Sequence, residues 1–241
     1  MATSALLILY GVGAGFGLPD KSPFVHKTEV QLQMAGLPYE KRTGSRERAP
    51  KGKLPYLEDG GELIADSTFI RAHLERSSGR DLDQGLDPRQ RAEAWAIERL
   101  LEDHLYWALL YYRWIDLDNF AKGPAHNVDH APEERREQLR NEMLARVAEN
   151  LRMHGLGRHT PDQVQALGER SVAALAALLG ERPFFMGAQP SAVDATASAM
   201  LAGVLTPFFE SPLRTATAGH ANLVAYAGRM MQRHFPDHAW V

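Results

Sequence analysis

Four short stretches of this chain carry side chains whose types and spacing can do chemistry. Lys53-Leu54-Pro55-Tyr56 sets a proline at the head of a short apolar strand, and a proline with no N–H to donate belongs at an edge. A cis Leu54–Pro55 bond would turn the Leu54 backbone outward, where it can pair with an extended peptide as an added strand. A trans bond would merely end a strand. Asp66-Ser67 stands between a strand and a helix. A helix start with a free hydroxyl and free N–H groups holds a carboxylate, and a neighbouring aspartate accepts from an ammonium group, so the pair suits the zwitterionic end of an α-amino acid. The same pair is also an ordinary cap. Ser22-Pro23-Phe24 opens another helix. Its dipole favours negative charge, and a serine hydroxyl donating to a thiolate there would lower a thiol's pKa towards neutrality. An N-cap is again the competing reading. Tyr10 is a second hydroxyl donor, or a core aromatic. Ser191-Ala192-Val193-Asp194 is a capping box with Asp for the usual Glu, and its role is structural.

These residues need elements to hold them. Ala5 to Tyr10 is a short continuous apolar run, which predicts a buried strand followed by the glycine-rich Gly11 to Gly17. Ser22 and Pro23 predict a helix to about Ala35, stopped by Gly36. Tyr39 to Thr43 predicts a second strand, and Gly44 to Lys53 a loop. Pro55 to Leu57 and Leu63 to Ala65 flank Asp59-Gly60-Gly61, the signature of a tight hairpin. Ser67 then starts a helix to about Arg76. Strand, helix, strand, irregular segment, hairpin and helix make a thioredoxin-like α/β pattern over residues 1–79, with Ser77-Ser78-Gly79 as linker.

Residues 80–241 predict an all-α domain. A long helix runs from Asp87-Pro88 to about Tyr112, with Ala92, Trp95, Ala96, Leu100 and Trp107 on one stripe. Pro124 to Pro132 is a loop. Further helices cover Glu133 to His154, Pro161 to Leu179, Ser191 to Leu205 and Asn222 to Arg233. The fourth of these five, apolar nearly all round, is expected to be the buried centre. His104, Trp107, Tyr111, Tyr112 and Trp114 concentrate aromatic surface after the linker, which suits a hydrophobic ligand between the domains. Part of that cluster is equally core, since Trp107 and Tyr111 share a face.

With 44% hydrophobic and 24% charged residues, the chain has apolar material for a core without staples. A net charge of −3 with mixed signs advertises no nucleic-acid surface. The sequence has no cysteine, so disulfides, thiolate metal sites and cysteine nucleophiles are excluded. No apolar run approaches the roughly 20 residues that span a bilayer, and the apolar N-terminus lacks a positive flank and a cleavage site. The expectation is a cytoplasmic protein bound to no membrane. His126 and His130 lie in a loop without a third ligand, so no metal site is expected.

Taken together, the runs Ser22-Pro23-Phe24-x-x-Lys27-x-Glu29, Met34-Ala35-Gly36-Leu37-Pro38-Tyr39, Ala49-Pro50-Lys51-Gly52-Lys53-Leu54-Pro55-Tyr56 and Ala65-Asp66-Ser67-x-Phe69-Ile70 resemble the glutathione transferase superfamily. With the tail Asn222-Leu223-Val224-x-Tyr226-x-x-Arg229-Met230 and Phe235-Pro236, they resemble its Fax/metaxin-related branch. The resemblance implies a glutathione site. Leu54, before the family's cis-proline at Pro55, would bind the cysteinyl backbone. Asp66 and Ser67 would hold the γ-glutamyl end, and Lys53 or Lys51 would reach the glycyl carboxylate. Ser22 falls where the activating residue stands, with Tyr10 as the alternative. A serine there implies thiolate activation of glutathione for attack on a small hydrophobic electrophile. That electrophile would bind near His104, Trp107, Tyr111 and Trp114. The resemblance also implies a homodimer. The alternative is a non-catalytic binding or protein-interaction module on the same fold. One departure stands out: the Gly11 to Lys21 loop is long, enough to displace Ser22 from a bound sulfur.

Overall fold

A computed structural model describes residues 6–240. Strand β1 covers Leu7–Gly11, so the expected start at Ala5 lies outside the described residues. Helix α1 (Pro23–Met34), β2 (Tyr39–Thr43), β3 (Tyr56–Asp59), β4 (Glu62–Ala65) and α2 (Ser67–Ser78) follow in the expected order. The sheet order is β2-β1-β3-β4. β1 and β2 are parallel, while β3 runs antiparallel to both β1 and β4. Gly60 (φ 58°) and Gly61 (φ 94°) turn the hairpin, and both need the left-handed freedom of glycine. Pro55 stays outside the β3 ladder, as its missing N–H requires.

Alternation divides β1 between two faces. Leu7 and Leu9 pack with Val25, Leu32, Leu57, Ile70 and Leu74 under α1 and α2. Tyr10 faces the other way, with Tyr56, Ala49 and Ala65.

The helical half comprises α3 (Pro88–Leu100), a π turn (Leu101–Leu105), α4 (Tyr106–Trp114), α5 (Leu117–Lys122), α6 (Glu133–His154), α7 (Pro161–Leu179), α8 (Ala192–Leu205), α9 (Pro212–Ala218) and α10 (Ala221–His234). Helix α8 is the centre. Every residue from Ala192 to Val204 is buried. Its start is held by the Ser191–Asp194 box, as the sequence indicated. The Asp194 carboxylate accepts from Phe185 N at 3.0 Å, Ser191 N at 2.8 Å and the Tyr226 hydroxyl at 3.0 Å. With the Ser191 hydroxyl donating as a fourth partner at 3.1 Å, the buried carboxylate is satisfied in place.

Two expectations need correction. Pro124–Val128 winds into a short 3-10 helix where a loop was expected. The stripe of the long helix is also displaced. Ala92, Trp95 and Ala96 are exposed, and the buried positions are Ala94, Ile97, Leu101, Leu105, Ala108 and Tyr112. Trp95 lies outside, with its ring over the Arg99 guanidinium, 4.4 Å from its centroid. The true stripe is masked in the sequence because it carries Glu98 and Glu102, two acids that are nonetheless buried.

Their partner is Lys27. Helix α1 lies between the sheet and α8, and its residues from Val25 to Leu32 are all buried, five polar or charged ones among them. Lys27 Nζ, wholly inaccessible, meets Glu98 at 2.5 Å and Glu102 at 2.6 Å. Arg99 adds a second cation, 2.6 Å from Glu102. The cluster ties the sheet-bearing half to the helical half through the buried charges of Lys27, Glu98 and Glu102, with Arg99 partly open to solvent. Removing one member of such a group leaves the others uncompensated, which typically costs about 3–5 kcal/mol. We therefore expect Lys27→Met to lower unfolding free energy by about that amount in urea titration, and the triple change Lys27→Met, Glu98→Leu, Glu102→Leu to recover much of it. A single-variant loss under about 1 kcal/mol would mean that water reaches these carboxylates.

Candidate functional site

The sheet brings three of the sequence-selected stretches to one end. Tyr10 pairs with Tyr56 and Tyr56 with Ala65. One step beyond that row stand Gly11, Pro55 and Asp66, where β1 ends, β3 begins and β4 gives way to α2. Ligands of open sheets with parallel strands collect at this carboxyl end. The Leu54–Pro55 bond is cis. Neither the N–H nor the C=O of Leu54 enters a main-chain hydrogen bond among the described residues. Its side chain is half-buried and anchors both clusters of the sheet.

Asp66 adopts φ 80°, ψ 126°, a region that a residue with a Cβ enters at a cost of about 1–3 kcal/mol and that gathers at functional sites. Its carboxylate accepts from Thr68 N at 3.0 Å and is otherwise exposed. Ser67, at the first turn of α2, is 4% exposed. The first N–H groups of a helix have no partner within it, so Asp66 and Ser67 together offer an acid, a hydroxyl and a dipole end. Lys53 and Lys51 are both exposed on the segment before Pro55, and the Lys51 ammonium sits 4.3 Å from the Phe69 ring centroid.

The long Gly11 to Lys21 loop is folded back on itself. Lys21 N donates to Gly13 O at 2.9 Å, and Gly15 and Leu18 exchange two main-chain bonds. Asp20 is its hub. This inaccessible carboxylate accepts from Ser22 N and Gly13 N, each at 2.9 Å, and pairs with Lys41 at 3.0 Å. The loop therefore delivers Ser22 to the start of α1, where the sequence placed it. With Asp20 taking the Ser22 N–H, the Ser22 side chain forms no cap bond, and its hydroxyl stays free.

The other hydroxyl is engaged. Tyr10 donates to Glu58 Oε2 at 2.8 Å and stacks on Tyr56 with centroids 4.4 Å apart. The hydrogen bond to Glu58, followed by burial, raises the phenol above its ordinary pKa, so it stays protonated.

The four aromatic-pocket residues do not converge on this end. His104 Nδ1 contacts Ser171 Oγ on α7 at 2.7 Å. Trp107 stacks on His154 of α6 at 4.1 Å, and Trp114 tilts over Phe120 of α5 at 5.9 Å. Tyr111 packs edge-on to Tyr112 at 5.4 Å, beside the helical core. All four find these partners within the helical half. From α4, Tyr106 packs edge-on to Phe24 of α1 at 4.8 Å, and Arg113 donates at 3.1 Å to Lys21 O in the loop that leads into α1. Sequence reasoning passed over both. They follow Glu102 on the same long helical run, by four and eleven residues, on the far side of the π turn. His126 pairs with Asp129 at 2.7 Å, and no helix among the described residues is long and apolar enough to cross a membrane.

Residues 23–119 match the family model described as the glutathione S-transferase N-terminal domain, and residues 168–230 match that of the glutathione S-transferase C-terminal domain. The chain belongs to the glutathione S-transferase superfamily. Within it, the chain is 34% identical to "Failed axon connections" of Drosophila melanogaster over 91% of its own length, but spans only 56% of that protein. It is 28% identical to an isoprene-epoxide–glutathione S-transferase of Rhodococcus sp. (strain AD45), across 95% of this chain and 99% of the other. Human metaxin-2 is 27% identical over 86% of this chain and 80% of its own. Among solved structures, the β-etherase LigF of Sphingobium sp. strain SYK-6 superposes with a TM-score of 0.66 at 20% identity, covering 96% of this chain and 99% of that one. The glutathione transferase fold expected from the motifs is the fold observed, with Fax and the metaxins among the relatives.

One turn into α1, the site rests on neutral imidazole. Burial, then the nearby Lys41 and the histidines of the C-terminal segment, pushes His26 down to about 3. Burial followed by Arg233 pushes His234 down to about 4. In the unfolded chain both titrate near 6.5. Their contribution is complete above that value, and it is lost as pH falls from about 6.5 towards 4, because the unfolded state binds protons that the folded state refuses. We expect urea-derived stability to drop by roughly 1–3 kcal/mol per pH unit between pH 6 and 5, and less steeply in His26→Gln. An unchanged slope in that variant would show that other groups govern the acid limb.

Proposed function

We propose that the protein binds glutathione at this end of the sheet and activates its thiol for attack on a small hydrophobic electrophile. The observation that carries the reading is the strand register that sets the unengaged backbone of Leu54 beside the Asp66–Ser67 helix start. An extended tripeptide bonded to Leu54 would have its α-amino and α-carboxylate groups at Asp66 and Ser67. Lys53 or Lys51 is the candidate for the glycyl carboxylate.

The sulfur would then lie towards Ser22, whose free hydroxyl donates to the thiolate and holds its pKa down. The thiolate attacks an electrophilic carbon, forming a C–S bond as the bond to the leaving group breaks. With an epoxide, the class named in the Rhodococcus relative, the C–O bond breaks and the ring oxygen takes up a proton. Tyr10, engaged by Glu58, is the weaker candidate for activator. The electrophile would meet α4 through Tyr106 rather than through the Trp107 face. A homodimer and a cytoplasmic setting belong to the same proposal.

Titration calorimetry with glutathione is expected to give a dissociation constant in the micromolar to millimolar range. Ser67→Ala should weaken binding about 10-fold or more, through loss of a bond to a charged group. Ser22→Ala should leave binding near wild type and cut turnover of a chloroarene or a small epoxide at least about 10-fold, the equivalent of one unit in the thiol pKa. No heat and no thermal shift at ~10 mM glutathione would end the proposal. Binding without turnover in the wild type would favour the non-catalytic module. Activity lost in Tyr10→Phe but kept in Ser22→Ala would move activation to Tyr10.

A further inference from the structure

Arg113 is 5% exposed and has no carboxylate partner among the described residues. Its guanidinium donates to two carbonyls, Lys21 O at 3.1 Å and Gly203 O at 2.8 Å, and its Nε is buried with no hydrogen-bond partner. It also lies over two ring faces, Phe209 at 5.2 Å and Phe16 at 5.9 Å from the centroids. A buried cation is normally matched by an acid. Among the described residues its compensation is the carbonyl end of α8, the Lys21 carbonyl and two aromatic rings. The residue it grips is the one before Ser22.

We propose that Arg113 is a positioning residue that lends an unneutralised positive charge to the start of α1, so that an anion beside Ser22 is stabilised from behind. The proposal rests on the glutathione reading only in naming that anion as the thiolate of the bound tripeptide. Burial pulls Arg113 down to about 10, which still leaves it charged at neutral pH. The other charged or titratable groups around this point do not cancel it. Asp20 is paired with Lys41, which also meets Glu29 at 2.7 Å, where burial raises the Glu29 carboxyl above its ordinary pKa; Lys21 is a further cation, His26 is neutral, and burial raises the Tyr106 phenol above its ordinary pKa. The same guanidinium fixes the Lys21 carbonyl, and with it the entry of the chain into the helix.

Because the chain contains no cysteine, Ser22→Cys introduces a single thiol at the point in question. Its pKa is read from the pH dependence of alkylation by iodoacetamide, with no glutathione present. The parent variant should titrate about one unit or more below the ordinary 8.5. Adding Arg113→Met should raise that value by about one unit, the scale of one charge at short range in a protein interior. Arg113→Gln, which keeps donors for the two carbonyls without the charge, should do the same, and Arg113→Lys should largely restore the low value. A purely structural role predicts that Gln and Lys behave alike. An ordinary pKa in the Ser22→Cys parent overturns the proposal, as does one unmoved by Met or Gln in protein that melts normally. Glutathione calorimetry on the wild type decides the other reading separately. A low, Arg113-dependent thiol pKa with no glutathione binding would leave the charge in place and transfer its use to another anion.

Discussion

Helix α1 is enclosed on one side by the sheet and on the other by α8, and this enclosure is the constraint from which the site follows. A helix enclosed in this way must match the charges it carries. Lys27 is matched by Glu98 and Glu102 from across the interface, and Glu29 meets Lys41 at 2.7 Å. Ion pairs of this kind contribute little to net stability, because desolvation offsets most of their attraction. They do fix register. Sliding α1 by one residue would strand three charges away from water, so the start of α1, and Ser22 with it, is held in one place relative to both halves.

The π turn at Leu101–Leu105 fits the same constraint. Glu102 lies within it, and Tyr106 and Arg113 follow on α4. A π turn adds a residue to the helical repeat, which rotates everything after it. Residues before the turn are in phase with Lys27, and those after it meet Phe24 and Lys21. One irregularity thus lets a single long helix serve two contacts on α1.

The thioredoxin-like half was legible in the sequence because local chemistry decided it. Two glycines dictated the hairpin, Pro55 marked the ladder's edge, and Ser22-Pro23 and Asp66-Ser67 marked helix starts. The central place of α8 was legible from its small apolar residues. The face of α3 was not. Periodicity reads hydrophobic residues as buried and charged ones as exposed, and here Trp95 is outside while Glu98 and Glu102 are inside. Nothing local distinguishes a buried acid from a solvated one. The information lies in Lys27, 71 residues away from Glu98. Aromatic density did not reveal partners: His104, Trp107 and Trp114 meet Ser171, His154 and Phe120, which lie far off in the sequence or on the next helix of the same half.

The charges around Ser22 show why the long Gly11 to Lys21 loop does not weaken the site. Asp20 takes up the Ser22 N–H, and a capping carboxylate at a helix start would normally consume the positive potential there. Here the Asp20 charge is drawn instead towards Lys41, which it shares with Glu29, and towards the Gly13 amide, within a loop that closes on itself. Asp20 bonds the Ser22 N–H and not the N–H groups of the first turn, and the Ser22 side chain makes no cap bond, so its hydroxyl is free. What remains at the start of α1 is the helix dipole, the Lys21 side chain and the Arg113 guanidinium behind it, with the nearest imidazole held neutral. An arrangement whose only purpose was to cap a helix would have no use for a free hydroxyl, or for a buried cation without an acid. Both follow if the start of α1 is built to meet an anion that the chain itself does not supply.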